Sequence, residues 1–136
     1  DINFDNRDTS DDDFQRGSVQ KEIDVEIQRY DNLKLKAPDL IAMDVQGAEL
    51  KVLKGFGKDI SNTYAIILET CISNNYIGGS KLLEIYNFLK KDFKLVKNSR
   101  NDSNFKLILE AYKYNFLSEK KYIPDINLLF VNKKLS

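Results

Sequence analysis

Three carboxylates stand where an α/β sheet would place its chemistry. Asp44 closes the apolar run Leu40-Ile-Ala-Met, Glu69 closes Ile66-Ile-Leu, and Glu49 follows the turn residue Gly47 at the head of a helical pattern. If the two runs are neighbouring strands, about 4.8 Å apart, Asp44 and Glu69 can share a hydroxyl substrate, a proton or a hard cation such as Mg²⁺. A carboxylate in that position can hold a hydroxyl in line and accept its proton. Asp44 is the first choice for that base, because an acid at the end of an apolar strand is costly unless something uses or satisfies it. Glu49 has a structural alternative: near a helix start, free N–H groups and the helix dipole stabilise a carboxylate that does nothing else, and it can cap the turn. Tyr76, in a polar loop after the second run, can close over a substrate or simply pack on the surface.

Composition narrows the remaining chemistry. The 136-residue chain has no histidine, which removes Ser-His-Asp and Cys-His nucleophile systems and imidazole acid/base catalysis. Its one cysteine, Cys71, cannot form an internal disulfide and has no basic neighbour to lower its pKa, so it reads as buried and inert. No metal-ligand set is assigned. Lys plus Arg equals Asp plus Glu at 21 each, so no net field draws the chain to nucleic acid or an acidic membrane. No apolar run reaches the length of a membrane span or signal sequence, and a cytoplasmic location is the default expectation. The chain opens at Asp1 and its only methionine is Met43, which suggests an excerpt of a longer polypeptide.

The elements that must position these side chains follow from periodicity. Residues 1–22 carry six aspartates and few apolar side chains and read as a flexible acidic arm. Ile23, Val25 and Ile27 alternate with polar residues as in a half-buried strand, and 30–33 reads as a short turn. Pro38 bars helix before the run at 40–45, whose continuity predicts a central parallel strand covered on both faces. Leu50, Val52, Leu53 and Phe56 predict a helix ending near Gly55 and Gly57. A second apolar strand over 64–72 follows, and a strand-helix-strand unit sets both strand ends on one sheet edge. Ser80 is placed to cap an amphipathic helix over 81–91. Then come a strand at 93–96, a segment at 105–114 that can be strand or helix, and a closing strand at 125–131. The order is that of the α/β class.

Taken together, Asp39-Leu-Ile-Ala-Met-Asp-Val-Gln-Gly-Ala-Glu49 followed by Val52-Leu-Lys-Gly55 resembles the signature of the FkbM family of S-adenosylmethionine-dependent methyltransferases. Further pieces fall in the order of that family: Arg29-Tyr-Asp-Asn-Leu33, Ile66-Ile-Leu-Glu69, Tyr76 with Gly78, Glu84 to Leu89 before Phe93, and Leu128-Leu-Phe-Val-Asn132. The resemblance runs over roughly 23–132. It implies the later half of a class I (Rossmann-like) methyltransferase sheet, mixed with an antiparallel strand near the C-terminus. On that basis the chain divides into an acidic arm, 1–22, and a partial α/β methyltransferase-like domain, 23–136.

The resemblance implies S-adenosylmethionine as methyl donor and a hydroxyl of a sugar or secondary metabolite as acceptor, with Asp44 and Glu69 catalytic and Gln46, Glu49 and Tyr76 binding the acceptor. Gln46 stands where Glu is frequent in the family, which keeps hydrogen bonding and drops the charge. The cofactor-binding residues are not assigned: Gly55-Phe-Gly57 and Gly78-Gly79 lack the strand-to-helix setting that lets backbone approach a cofactor. The chain by itself is therefore expected to bind the donor weakly and to be inactive. The rival expectation is a cofactor-less α/β remnant serving as a binding module, with an open sheet edge as the place of pairing, and a carboxylate hydrolase is a third reading.

Overall fold

In a computed structural model that describes residues 23–72, 78–116 and 124–135, the chain folds as a mixed sheet with helices packed on one face. The strands are β1 (Leu40–Met43), β2 (Ala65–Thr70), β3 (Phe93–Asn98) and β4 (Ile126–Asn132), and the helices are α1 (Glu49–Gly55), α2 (Leu82–Leu89) and α3 (Asn104–Phe116). The four-stranded sheet has the order β1-β2-β4-β3. β1 and β2 run parallel, and β4 runs antiparallel to both of its neighbours.

Alternation along these strands decides where the core sits. Register places Ile41 beside Ile66, Ile66 beside Phe130 and Phe130 beside Leu95, and all four are buried. They pack with Leu53 of α1, Leu82, Ile85 and Leu89 of α2, and Leu107 of α3. The other face is largely uncovered: Leu40, Ile67 and Val96 are exposed along it. The expectation of a strand covered on both faces is corrected here. β1 is an edge strand among the described residues, and a continuous apolar run does not distinguish two-sided from one-sided cover.

Two further expectations change. Residues 23–29 form no strand, and Ile27 is 88% exposed; alternation makes a strand only where a ladder partner and a covered face exist. Ser80 does not cap α2, whose start is closed by the Glu84 carboxylate accepting from Lys81 N at 2.9 Å, while the Ser80 hydroxyl turns toward α1. The segment left open at 105–114 is helix, within α3.

The short 3-10 turn Tyr30–Asn32 anchors the entering chain to the far end of α1. Tyr30 stacks on Phe56 with ring centroids 4.4 Å apart. Arg29 grips Asp31 through Nε and Nη2 at 3.0 and 2.6 Å and donates to Lys54 O at 3.1 Å. Gly57, at φ +56°, opens the 3-10 segment Gly57–Asn62; a Cβ there would come within 2.5 Å of Asp31 Oδ2. At this same end of the sheet, the wholly buried Asn132 donates to Ser61 O and Thr63 O at 2.9 Å each and accepts from Lys134 N at 2.9 Å.

Candidate functional site

The parallel pairing of β1 and β2 sets their carboxyl ends on one edge, and the reversal of β4 brings its beginning to that same edge. Asp44 follows β1, Glu69 lies in the last turn of ladder in β2, and Asp125 immediately precedes β4. These three carboxylates line one shallow depression together with Gln46, Glu49, Thr70 and Cys71. Four of the five residues singled out in the sequence, Asp44, Gln46, Glu49 and Glu69, thus meet at one place. The fifth, Tyr76, lies outside the described residues.

The turn that carries Asp44 is built by left-handed backbone. Gln46 at φ +50° and Gly47 at φ +99° reverse the chain between β1 and α1, the first a conformation that costs a non-glycine residue stability and is kept where surroundings enforce it. What enforces it here is Glu49. Its side chain is 2% exposed, with Oε1 accepting from Gly47 N at 2.9 Å and Oε2 lying 2.9 Å from Ser80 Oγ. Ser80 Oγ also accepts from Leu50 N at 3.2 Å and lies 2.8 Å from Gly47 O, which accepts from Ser80 N as well. Glu49 therefore spends both oxygens on the turn and its neighbour.

Asp44 and Glu69 behave differently. Asp44 is exposed and accepts from Gln46 Nε2 at 2.8 Å. Glu69 is half-buried and within hydrogen-bonding reach of Asp44, with Asn127 Nδ2 at 3.4 Å on its other side. Burial, then the negative charges of Asp44 and Asp125, hold the Glu69 carboxyl above the ordinary carboxylate range. Cys71 is buried, with Sγ 3.0 Å from Asp125 Oδ1. Among the described residues no group of three His, Cys, Asp or Glu side chains is arranged to hold a metal ion.

A model of the methyltransferase FkbM domain matches residues 3–102. The chain belongs to the FkbM methyltransferase family. No curated protein and no solved structure gives a significant match. The FkbM match takes in β1, α1, β2, α2 and β3 and ends before α3 and β4. Asp44, Gln46, Glu49 and Glu69 therefore lie inside the FkbM span, and Asp125 and Asn127 outside it.

Asp125 and Thr70 line the depression, and Ser80 braces the turn beside it, in places that the sequence alone does not indicate. Asp125 precedes an apolar strand, whereas Asp44 follows one, so the two look unrelated until the antiparallel direction of β4 is known. Ser80 was read as a cap for the helix after it, and only tertiary contact reveals its tie to the helix before it. Among the described residues no helix is long and apolar enough to cross a membrane.

Proposed function

We propose that the chain carries the acceptor-side half of an S-adenosylmethionine-dependent O-methyltransferase acting on a hydroxyl of a sugar or secondary metabolite. The observation that carries this reading is the Asp44–Glu69 pair, in mutual hydrogen-bonding reach at the carboxyl ends of two parallel strands. Open α/β sheets bind their ligands in crevices at that edge. An acceptor hydroxyl bonded to Asp44 gives up its proton to that carboxylate, while Glu69 and Gln46 fix the position of Asp44 and of the acceptor oxygen. The strand order β1-β2-β4-β3, with β4 reversed, supports the reading of this sheet as the later half of a class I (Rossmann-like) methyltransferase sheet.

The described residues do not fit the methyl donor. A cradle for it needs backbone N–H groups free after a strand, and the glycine turn directly after β1, at Gly47, has its N–H taken by Glu49 and its carbonyl by Ser80. Donor binding is thus assigned to residues other than these. The test is calorimetric titration with S-adenosylmethionine of residues 1–136 and of a chain extended upstream of Asp1. Binding by the extended chain alone supports the reading, and silence from both sinks it.

The uncovered sheet face favours one second reading. Leu40, Ile67 and Val96 form an apolar surface suited to a partner, as in a cofactor-less interaction module. Size-exclusion chromatography with light scattering separates the two, since a strictly monomeric, stable chain that captures no partner argues against the module.

A further inference from the structure

The sheet face that the helices leave open is polarised as well as apolar. Ile67 and Leu129 stand side by side at its centre, on β2 and β4. The β1 edge carries an acidic margin, with Asp39 next to Leu40, and Asp44 two residues past Ala42 and beside Glu69. The β3 edge carries a basic one: register sets Lys94 level with Leu40, and Lys97 level with Ala42, Ile67 and Leu129. Among the described residues none of these charged side chains forms an ion pair. A register shift between Leu95 and Lys97 leaves Val96 51% exposed, and beside it a groove of about 190 Å³ opens between Ile67, Leu129, Lys97 and Asn127.

The strand order makes this face complementary to itself. A second copy laid on it with the two-fold axis along the strands exchanges β1 with β3 and β2 with β4, and keeps every level in place. Ile67 then meets Leu129 of the second copy and enters the groove beside it. Packed sheets lie about 10 Å apart, so Lys97 of the second copy, above Ala42, comes within reach of Asp44, and its Lys94, above Leu40, comes next to Asp39. Each contact occurs twice. A two-fold axis across the strands does the opposite: it lays β1 on β1 and β3 on β3, setting acid against acid and lysine against lysine, which is costly. Charge therefore selects the first arrangement, which keeps the strands aligned as sheets ordinarily pack. We propose that the open face is a self-complementary interface that pairs two copies of this chain, β2 over β4, with the acidic margin of each copy on the lysine margin of the other. The pair is closed, since each copy spends its one open face. Strand spacing and rise give the face roughly 400 Å² per copy, below the roughly 1,200 Å² in total that tight complexes bury, so pairing is reversible with a dissociation constant on the order of 100 μM. This names an occupant for the uncovered face and does not rest on the methyltransferase reading.

Sedimentation equilibrium of residues 1–136 from about 10 μM to about 1 mM is the test. The mean mass is expected to climb from 15.7 kDa toward twice that value, and to climb less at high salt. Ile67→Lys and Lys97→Glu should each weaken association by about tenfold or more, and Lys97→Glu combined with Asp44→Lys should return to within about threefold of the parent. Dispersed amide spectra report that the variants remain folded. A monomer at every concentration overturns the proposal. Association that survives Ile67→Lys overturns it by placing the contact on another surface, and so does a charge exchange that restores nothing. A chain extended upstream of Asp1 that stays monomeric where residues 1–136 pair also overturns it, by giving the face to upstream residues. The result is separable from that of the donor titration: silence toward S-adenosylmethionine in both chains retires the methyltransferase reading and leaves the pairing standing, and donor binding by a strictly monomeric chain does the reverse.

Discussion

Glu49 and Ser80, on either side of the second strand in sequence, meet with Oε2 and Oγ 2.9 Å apart beneath the turn that presents Asp44. Removing the carboxylate strands Gly47 N–H and one partner of Ser80. Glu49→Ala is therefore expected to cost about 1–3 kcal/mol, the range for leaving buried polar groups unpaired. Glu49→Gln keeps an acceptor for Gly47 and can donate to Ser80 Oγ, whose own proton then goes to Gly47 O, so it should cost less than half as much. Urea unfolding of the two variants checks the order.

The Glu69 carboxyl, raised by burial and by Asp44 and Asp125, gives a signed pH effect. A carboxyl whose folded pKa lies above its unfolded value adds stability that is full below the unfolded pKa and is lost as pH rises through the folded one. Glu69→Gln removes that loss. Its melting temperature relative to the parent should rise as pH increases from 4 to 7, and a constant or falling difference would contradict the assignment.

Neighbouring residues of β2 should respond in opposite ways. Leu68 is fully buried against the helices, whereas Ile67 faces outward at 40% exposure. Leu68→Ala is expected to destabilise by about 2–5 kcal/mol and Ile67→Lys by no more than about 0.5 kcal/mol. Denaturant midpoints of the pair test whether helices cover one face of the sheet only.

Two glycines near the end of α1 offer a second contrast. A Cβ at Gly55 meets nothing within 4 Å, while one at Gly57 combines a left-handed φ of +56° with the approach to Asp31. Gly55→Ala should stabilise by about 0.4–1 kcal/mol through the unfolded chain, and Gly57→Ala should destabilise by about 1–3 kcal/mol. Thermal melts resolve both.

Much of the fold could be read from residue order, for identifiable reasons. Pro38, Gly47 and the pair Gly55 and Gly57 bracket β1 and α1, and the apolar runs at 65–70 and 126–132 leave little choice but strand. Where the reading failed, it lacked a partner or a direction. Ile23, Val25 and Ile27 alternate with nothing to pair against, and Phe105, Leu109 and Tyr112 lie exposed on α3, so apolar residues there do not mark one buried face. At the cleft, Asp44 and Glu69 were legible because each ends a run whose parallel neighbour can be inferred. Asp125 was not, since its place depends on β4 running backwards.

β1 is four residues long, uncharged, and leaves one backbone edge without a ladder partner among the described residues. It is bracketed by Pro38 and Asp39 at one end and Asp44 at the other. Strands left open in this way template fibrillar growth unless gatekeeper residues oppose it. Two copies stacking along β1 would align Asp39 and Asp44 with their like or with each other, in either direction, and the proline supplies no N–H. The carboxylate read above as chemistry thus also acts against runaway self-assembly, so Asp44→Asn should be judged for solubility as well as for turnover.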